Sequence, residues 1–187
     1  MREPLPPAAR AIAVDDARAM NRAMRRHAAR ADAIVMAAAV SDFRPVRVAM
    51  QKLRRRGPVT LRLEATPDIL ARLPKRVGQL RVGFALETAH VLSRATRKLR
   101  AKRLDMVLAQ QTEPTGAPFG RTKVRAWLIS RDGTVARLGR RSKAAVARAL
   151  LDKVERLWYG QRKVRCPVDR SADSSRPAER LTNPHMW

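Results

Sequence analysis

The chain has 187 residues and a formal net charge of +25, from 41 Lys and Arg against 16 Asp and Glu, which points to nucleic acids or phosphorylated small molecules as partners. The length suits one domain with a sizeable core, and the single cysteine, Cys166, excludes an intrachain disulfide framework. No apolar run approaches the roughly 20 residues that span a bilayer, and the N-terminus lacks the apolar core of a signal peptide, so we expect a cytoplasmic protein with no membrane partner.

The first predicted elements alternate between strand and helix. Residues 11–14 (AIAV) predict a short strand, and the helical spacing of the apolar residues that follow predicts a helix capped by Asp15 or Asp16. Residues 33–40 (AIVMAAAV) show no alternation, which predicts a strand with both faces covered by helices. A long basic loop is predicted next, and residues 58–65 then alternate in the way typical of a half-exposed strand.

The second half of the chain continues this alternation. Thr66 as N-cap and Pro67 at the first helical position predict another helix. Further elements are predicted as a strand at 80–87, a helix at 88–103, a strand at 104–110, a hairpin at 123–139 around Asp132-Gly133, and an amphipathic helix at 142–158. We therefore predict an α/β fold with a Rossmann-like, mostly parallel sheet flanked by helices and a C-terminal β-hairpin and helix. This domain would span residues 1–159, followed by a disordered basic tail at 160–187.

Polar residues follow three of the predicted strands. They are Ser41 and Asp42, Glu87 and Thr88, and Gln110 and Gln111. Ligands of parallel α/β sheets bind beyond the carboxyl ends of the strands, so these side chains are candidates for one shared crevice. The alternative is that strands ordinarily end in polar residues, and the pattern alone leaves both interpretations open.

Two lysines stand out on the helix predicted at 88–103. Lys98 and Lys102 are four residues apart and border a predicted buried stripe, so they project from nearly the same face. Paired ammonium groups in that position can hold a polyphosphate. The spacing alone favours the alternative of a solvated basic face, because arginines surround both lysines. The predicted buried stripe consists of Val91, Leu92, Ala95 and Leu99.

The basic loop around Lys52 is a candidate lid. Its length and central lysine suit a segment that closes over phosphates and brings in a cation. A plain solvated charge run is the more frequent meaning of such a sequence.

Several common sites are excluded by what the sequence does not contain. There is no Walker loop and no G-x-G-x-x-G motif. The histidines do not cluster, and one cysteine cannot build a zinc site. Aromatic residues are few and scattered, so a base-stacking platform of the kind used by common RNA-binding domains is not supported.

Several short motifs, taken in order, resemble phosphopantothenoylcysteine synthetase, the ligase half of the bacterial pantothenate-metabolism flavoprotein. They are AAAVSDFRP, QK, TPDILARL, VGFALET and a basic helix ending KLRAKRLD, followed by the hairpin and the last helix. The resemblance implies CTP-dependent ligation of 4′-phosphopantothenate to cysteine in coenzyme A biosynthesis. In that reaction the carboxylate attacks the α-phosphate of CTP, an acyl-cytidylate and pyrophosphate form, and the cysteine amine then displaces CMP.

The resemblance also implies roles for individual residues. A cytidine site would be formed by Asp42, Pro67, Asp68, Ile69, Leu70 and Phe84. Lys98 and Lys102 would hold the triphosphate, with Mg²⁺ sharing its charge. Lys52 would be the catalytic flap lysine that closes over the acyl-phosphate chemistry.

The chain departs from the family pattern at several points. Glycine-rich TAGGT and SNxSSGKMG segments would precede Met1, the usual ANDV is AQQT at residues 109–112, and the asparagine of NPDI is Thr66. The flavin-binding decarboxylase half is absent, so no FMN is expected in this chain. An incomplete first βαβ unit would leave a sheet edge open, which favours pairing with another chain.

Three functional hypotheses follow. In the first, the chain is a CTP-dependent ligase domain that forms a homodimer and uses a separate chain for the N-terminal or decarboxylase part. Alternatively, it is a truncated remnant that binds nucleotide without turnover, or a basic protein that binds RNA through its surface arginines.

Overall fold

A computed structural model describes residues 6–55, 57–112 and 123–165 of the chain. Its elements, in chain order, are α1 (Ala17–Ala28), β1 (Ala33–Met36), β2 (Phe43–Pro45), β3 (Leu63–Ala65), α2 (Ile69–Arg72), β4 (Leu80–Glu87), α3 (Val91–Ala101), β5 (Met106–Gln111), β6 (Lys123–Ser130), β7 (Val135–Ser142) and α4 (Lys143–Arg165). Among these residues, no helix is long and apolar enough to cross a lipid bilayer.

The main sheet has five strands in the order β1-β4-β5-β6-β7. β1, β4 and β5 run parallel, while β6 and β7 form an antiparallel hairpin beside β5. β2 and β3 make a separate two-stranded ladder. This arrangement confirms the predicted Rossmann-like α/β fold with a C-terminal hairpin and helix.

Helices cover the two faces of the main sheet unequally. The first three helices share one core with the sheet, in which Ala28, Leu70 and Leu99 pack together with Val107 and Ile129. α4 covers the other face, and its Val146 and Leu150 contact β4, β5 and β6. The side chains of β4, β5 and β6 alternate between these two cores, as the pleat requires.

Two buried polar side chains join the helices to the sheet. The Gln79 amide, which is 2% exposed, donates to the carbonyls of Ala28 (2.6 Å) and Ala31 (2.9 Å) at the end of α1. The Arg81 guanidinium, also 2% exposed, donates to the carbonyls of Leu73 (2.9 Å) and Pro74 (2.6 Å) just after α2. These bonds fix both short connections against the start of β4.

The N-terminal predictions need correction. Residues 11–14 form no strand, and Ile12 and Val14 are exposed, because no strand of the described residues pairs with them. The N-cap of α1 is Asp16, whose carboxylate accepts from the Ala19 N–H at 2.6 Å. The strand predicted at 33–40 is only β1, and its predicted two-sided burial is wrong, since Val35 remains 41% exposed.

β1 is the outer strand of the main sheet among the described residues. α4 packs across β4, β5 and β6 and leaves the β1 side of its face uncovered, which explains the exposure of Val35. Whether this edge pairs with another chain stays a prediction.

The long basic loop contains structure that the sequence did not predict. β2 lies within it and pairs with β3, the only strand formed in the predicted 58–65 segment. Thr66 is not the N-cap of α2, because its N–H donates to the Asp42 carbonyl (2.8 Å) at the end of this ladder. Asp68 is the N-cap, and its carboxylate accepts from the Ala71 N–H at 3.0 Å.

The C-terminal half follows its prediction more closely. The hairpin turns at Asp132-Gly133, with the Asp132 carboxylate accepting from the Thr134 N–H (2.9 Å) and Gly133 at φ 88°. α3 is shorter than predicted and begins after His90 at φ 52°, and Leu92 is 36% exposed, not part of the buried stripe. α4 runs to Arg165, past the predicted start of the tail at residue 160, and residues 166–187 lie outside the described part.

Candidate functional site

A cavity of about 700 Å³ opens at the carboxyl ends of β1, β4 and β5. Eight of the predicted site residues line it: Asp42, Pro67, Asp68, Ile69, Leu70, Phe84, Lys98 and Lys102. They come from four separate segments of the chain. The fold therefore brings together residues that the sequence placed up to 60 positions apart (Asp42 and Lys102).

The β2–β3 ladder holds two walls of the cavity side by side. The chain leaves β1, passes Ser41 and Asp42, and enters β2. The Thr66 N–H then donates to the Asp42 carbonyl (2.8 Å), so the start of the α2 region is fixed beside Asp42. A cross-strand ion pair between Arg44 and Glu64 at 2.7 Å supports the same ladder.

An ion pair links α2 to the end of α3 across the cavity. The Lys102 ammonium lies 2.6 Å from the Asp68 carboxylate. Burial of this carboxyl raises its pKa, but the hydrogen bond from Lys102 and the N–H of Ala71 outweigh that effect, and the pKa of Asp68 is lowered overall. Asp68 is therefore held as an anion in the cavity wall.

Lys98 is the half-buried cation of the site. Its ammonium donates to the Phe84 carbonyl at 2.5 Å. Burial lowers the pKa of Lys98, the nearby Lys102 lowers it further, and Glu87, Asp42 and Asp68 partly offset both effects. An anionic ligand would relieve the repulsion between the two lysines, so this pair favours phosphate binding.

Gly83 permits close packing behind the cavity wall. A Cβ at this position would lie 2.6 Å from Cδ1 of Leu104, which is fully buried. The absent side chain makes room for the Leu104 side chain against β4. The glycine in VGFALET thus has a packing role that requires no unusual backbone angle.

The predicted strand-end crevice is found in part. Ser41 and Gln110 line the cavity, as expected from their positions after β1 and within the end of β5. Glu87 is not among the lining residues, and it pairs instead with Arg94 at 3.1 Å. Neither Thr88 nor Gln111 lines the cavity.

Other lining residues were not predicted as site residues. α4 contributes Lys143, Val146 and Leu150 to the cavity, and only the apolar stripe of that helix was visible in the sequence. Thr66 also lines the cavity, and its Oγ1 is buried without a hydrogen-bond partner among the described residues.

Lys52 lies apart from the other predicted site residues. Its side chain is exposed, and it is not among the residues that line the cavity. Its role as a flap lysine stays a prediction. Within the described ranges, no group of three or more His, Cys, Asp or Glu side chains is arranged to hold a metal ion.

The family model of the DNA/pantothenate metabolism flavoprotein C-terminal domain matches residues 1–157. The chain belongs to this family. The family resemblance to phosphopantothenoylcysteine synthetase, based on the five motifs, is thereby confirmed.

Relatives with known names agree with this assignment. The chain is 36% identical over 156 residues to the coenzyme A biosynthesis bifunctional protein CoaBC of Mycobacterium bovis, covering 76% of this chain and 37% of that protein. It is 35% identical over 126 residues to a cysteine/cysteine sulfinic acid decarboxylase of an unknown prokaryotic organism, covering 66% of this chain and 35% of that protein. The chain therefore spans little more than a third of these relatives.

A solved structure shares both fold and sequence with the chain. The crystal structure of the C-terminal domain of coenzyme A biosynthesis bifunctional protein CoaBC superposes with a TM-score of 0.63 at 32% identity. The match covers 79% of this chain and 65% of that one. The fold of the chain is thus similar to that of a solved member of the family.

Proposed function

We propose that the chain binds CTP in the 700 Å³ cavity and serves the ligation of 4′-phosphopantothenate to cysteine in coenzyme A biosynthesis. The observation that carries this proposal is the convergence of the eight predicted nucleotide-site residues on one cavity. The family supplies the reaction, and the cavity supplies a place of suitable size for a nucleotide.

The nucleotide would lie with its charge toward α3. Lys98 and Lys102 would bind the triphosphate, which replaces their mutual repulsion with two attractive contacts. Asp42, Phe84 and the segment from Pro67 to Leu70 would hold the cytidine. Apolar walls from Ile69, Leu70 and Phe84 suit a base, and polar groups from Asp42 fix its orientation.

Mg²⁺ would enter with the nucleotide. This ion usually keeps several waters and is bound through substrate phosphates and one or two carboxylates, so a preformed cluster of acidic side chains is not required. Asp68 is engaged by Lys102 and Asp42 is assigned to the cytidine, so the ion would be held mainly through the triphosphate. When bound, the ion would share the negative charge of the triphosphate.

In the proposed reaction, the pantothenate carboxylate attacks the α-phosphate of CTP and pyrophosphate leaves. The cysteine amine then attacks the acyl carbon and CMP leaves. Lys98 and Lys102 would stabilise the charge that gathers on the leaving pyrophosphate. Lys52 would act only when its loop lies over the cavity.

Calorimetric titration of the chain with CTP and Mg²⁺ tests the binding step. We expect binding at micromolar level, weakened by about 1–3 kcal/mol in Lys98→Ala, the range for a hydrogen bond to a charged group. Arg97→Ala is the matched control, because it removes an exposed cation one position away that does not line the cavity. Absence of CTP binding, or an equal loss in both variants, contradicts the proposal.

A second candidate is nucleotide binding without turnover, favoured by the position of Lys52 outside the cavity lining. Release of pyrophosphate with CTP, 4′-phosphopantothenate and cysteine separates the two. The ligase predicts release that falls in Lys52→Ala while CTP affinity is retained. CTP binding with no pyrophosphate release would establish the second candidate.

A further inference from the structure

One face of the molecule is rich in arginines and lysines, of which Arg94 is paired with Glu87 at 3.1 Å. α1, α3, β6 and β7 contain no Asp or Glu. We call the exposed cations on the helix side of these elements the basic face: Arg18, Arg22, Arg25 and Arg26 on α1, Arg94, Arg97 and Arg100 on α3, and Lys123, Arg125, Arg137 and Arg140 on the hairpin.

The pleat of the hairpin puts its cations on the same side as α3. Trp127 and Ile129 of β6 pack in the core that α1 and α3 share, so Arg125, two residues from Trp127, points to that side. On β7, Arg140 lies opposite Arg125 and Arg137 lies opposite Trp127. Directly opposed arginines repel each other, which is a cost that an anionic partner would remove.

The opposite face differs in charge. The exposed side of α4 mixes cations with Asp152 and Glu155. α4 is also net positive, with seven cations against two acids. The face built from α1, α3 and the hairpin differs because these elements contain no acidic residue.

A recess beside α3 offers a place for anions within this face. It measures about 560 Å³ and is lined by Lys75, Arg100, Arg103 and Arg131, among others. Asp105 pairs with Lys75 (2.8 Å) and Arg131 (3.5 Å). No ion pair is recorded for Arg100 or Arg103 within the described ranges, so these two are available to a ligand.

We propose that the basic face binds single-stranded RNA through its phosphodiester backbone. The arginines of α3, from Arg94 to Arg100, extend over about 9 Å at 1.5 Å per residue. Arg103, just after α3, and the hairpin continue the surface. This length suits a chain of phosphates and exceeds one small anion. A membrane surface is disfavoured, because the exposed side of α1 carries no large apolar anchor, and α3 and the hairpin offer only Leu92 and Val135.

Fluorescence anisotropy of a short labelled RNA of mixed sequence, with the full chain and a series of KCl concentrations, tests the proposal. The test pair is Arg97→Glu/Arg100→Glu. The control pair is Arg148→Glu/Arg156→Glu on α4, which makes the same change in net charge at exposed helical positions. Both pairs retain the rest of the chain, so any contribution from residues 166–187 is equal.

We expect the test pair to bind RNA at least about tenfold more weakly than the control pair, with a log–log salt slope smaller by about 1.4, or about 0.7 per lost phosphate contact. Circular dichroism checks folding, and Arg97→Ala/Arg100→Ala replaces the test pair if it does not fold. Equal losses in the two pairs, no RNA binding by the wild type, or binding to phosphatidylserine vesicles but not to RNA would each overturn the proposal.

The result is independent of the proposed nucleotide site. Neither Arg97 nor Arg100 lines the 700 Å³ cavity, so the test pair should titrate with CTP as the wild type does. Conversely, Lys98→Ala should weaken CTP binding while most RNA affinity remains. Loss of CTP binding therefore does not decide whether the chain binds RNA, and loss of RNA binding does not decide whether it binds CTP.

Discussion

Lys102, at the C-terminal end of α3, places its ammonium 2.6 Å from the carboxylate of Asp68, the N-cap of α2. One carboxylate thus performs two tasks, capping the N-terminal end of the short helix and holding a lysine at the cavity wall. The two tasks can be separated, because asparagine caps a helix as well as aspartate does but carries no charge.

Asp68→Asn should keep the helix cap and lose the ion pair. Because the pKa of Asp68 is lowered in the folded state, its contribution is present above the ordinary value of 3.8 and is lost as the pH falls through the lowered pKa. The pair is about one third exposed on each side, so we expect a loss below about 1 kcal/mol at neutral pH and none in acid. Urea unfolding at both pH values measures it.

Asp68→Ala is the matched comparison for this variant. Alanine removes the cap as well as the ion pair, so it should cost about 1 kcal/mol more than asparagine. Equal stability of the two variants would show that the cap hydrogen bond to the Ala71 N–H contributes nothing. A loss in Asp68→Asn that persists in acid would show that the ion pair is not its cause.

Lys98→Met should separate nucleotide binding from folding. Methionine keeps the apolar stem, removes the charge, and should weaken CTP binding about tenfold or more. Stability at neutral pH should change little, because the cost of burying the ammonium opposes the loss of its hydrogen bond to the Phe84 carbonyl. Calorimetry with CTP and thermal unfolding measure the two effects.

The pH dependence of Lys98→Met has a defined sign. The pKa of Lys98 lies below its ordinary value of 10.5 in the folded state. The charged ammonium therefore disfavours folding at pH values below 10.5. As the pH rises toward 10.5 the wild type should gain stability relative to Lys98→Met. A relative loss over that range would contradict the burial of this ammonium.

The sequence predicted elements whose signals are local. β4 and the β6–β7 hairpin are found where the apolar pattern and the Asp132-Gly133 turn placed them. The cavity residues were predicted through short motifs, and their convergence follows from the parallel order of β1, β4 and β5. The sequence did not give the role of α4 in the cavity, because helix packing across a sheet depends on distant residues.

The wrong predictions concern pairing between distant segments. Residues 11–14 have the composition of a strand but pair with no strand of the described residues. Thr66 is a residue type that often caps helices, but its N–H donates to the Asp42 carbonyl at the end of the β2–β3 ladder. Arg81 shows the same limit for burial. An arginine in a strand usually indicates a solvent-exposed position. Arg81 is instead buried, because its guanidinium donates to carbonyl groups that come close only in the folded chain.

Arg81→Met should destabilise the fold strongly. The guanidinium is 2% exposed and donates to the carbonyls of Leu73 and Pro74. In the variant these two buried carbonyl groups would lose their hydrogen-bond donor. We expect a loss of about 3 kcal/mol. Arg76→Met is the control, because the ion pair of Arg76 with Asp32 is about half exposed and its loss should cost below about 1 kcal/mol.

Urea unfolding of both variants measures these losses. The Arg81 variant should also bind CTP less well, because Ile69 and Leu70 of α2 line the cavity just before the two carbonyls that Arg81 holds. Equal stability of the Arg81 and Arg76 variants would mean that the buried hydrogen bonds of Arg81 do not contribute to the fold.

Arg140→Glu should stabilise the hairpin while weakening RNA binding. Arg140 lies directly opposite Arg125 in the β6–β7 ladder, so the change turns a repulsive pair into an attractive one, with a gain of about 0.5 kcal/mol. Arg141→Glu is the matched control. It makes the same change in net charge, but Arg141 lies opposite Val124 on the α4 side. Thermal unfolding should show the gain only in the first variant, and RNA anisotropy should show the loss only there. Equal melting temperatures in the two variants would contradict the cross-strand repulsion, and equal RNA affinities would contradict a binding surface on the helix side.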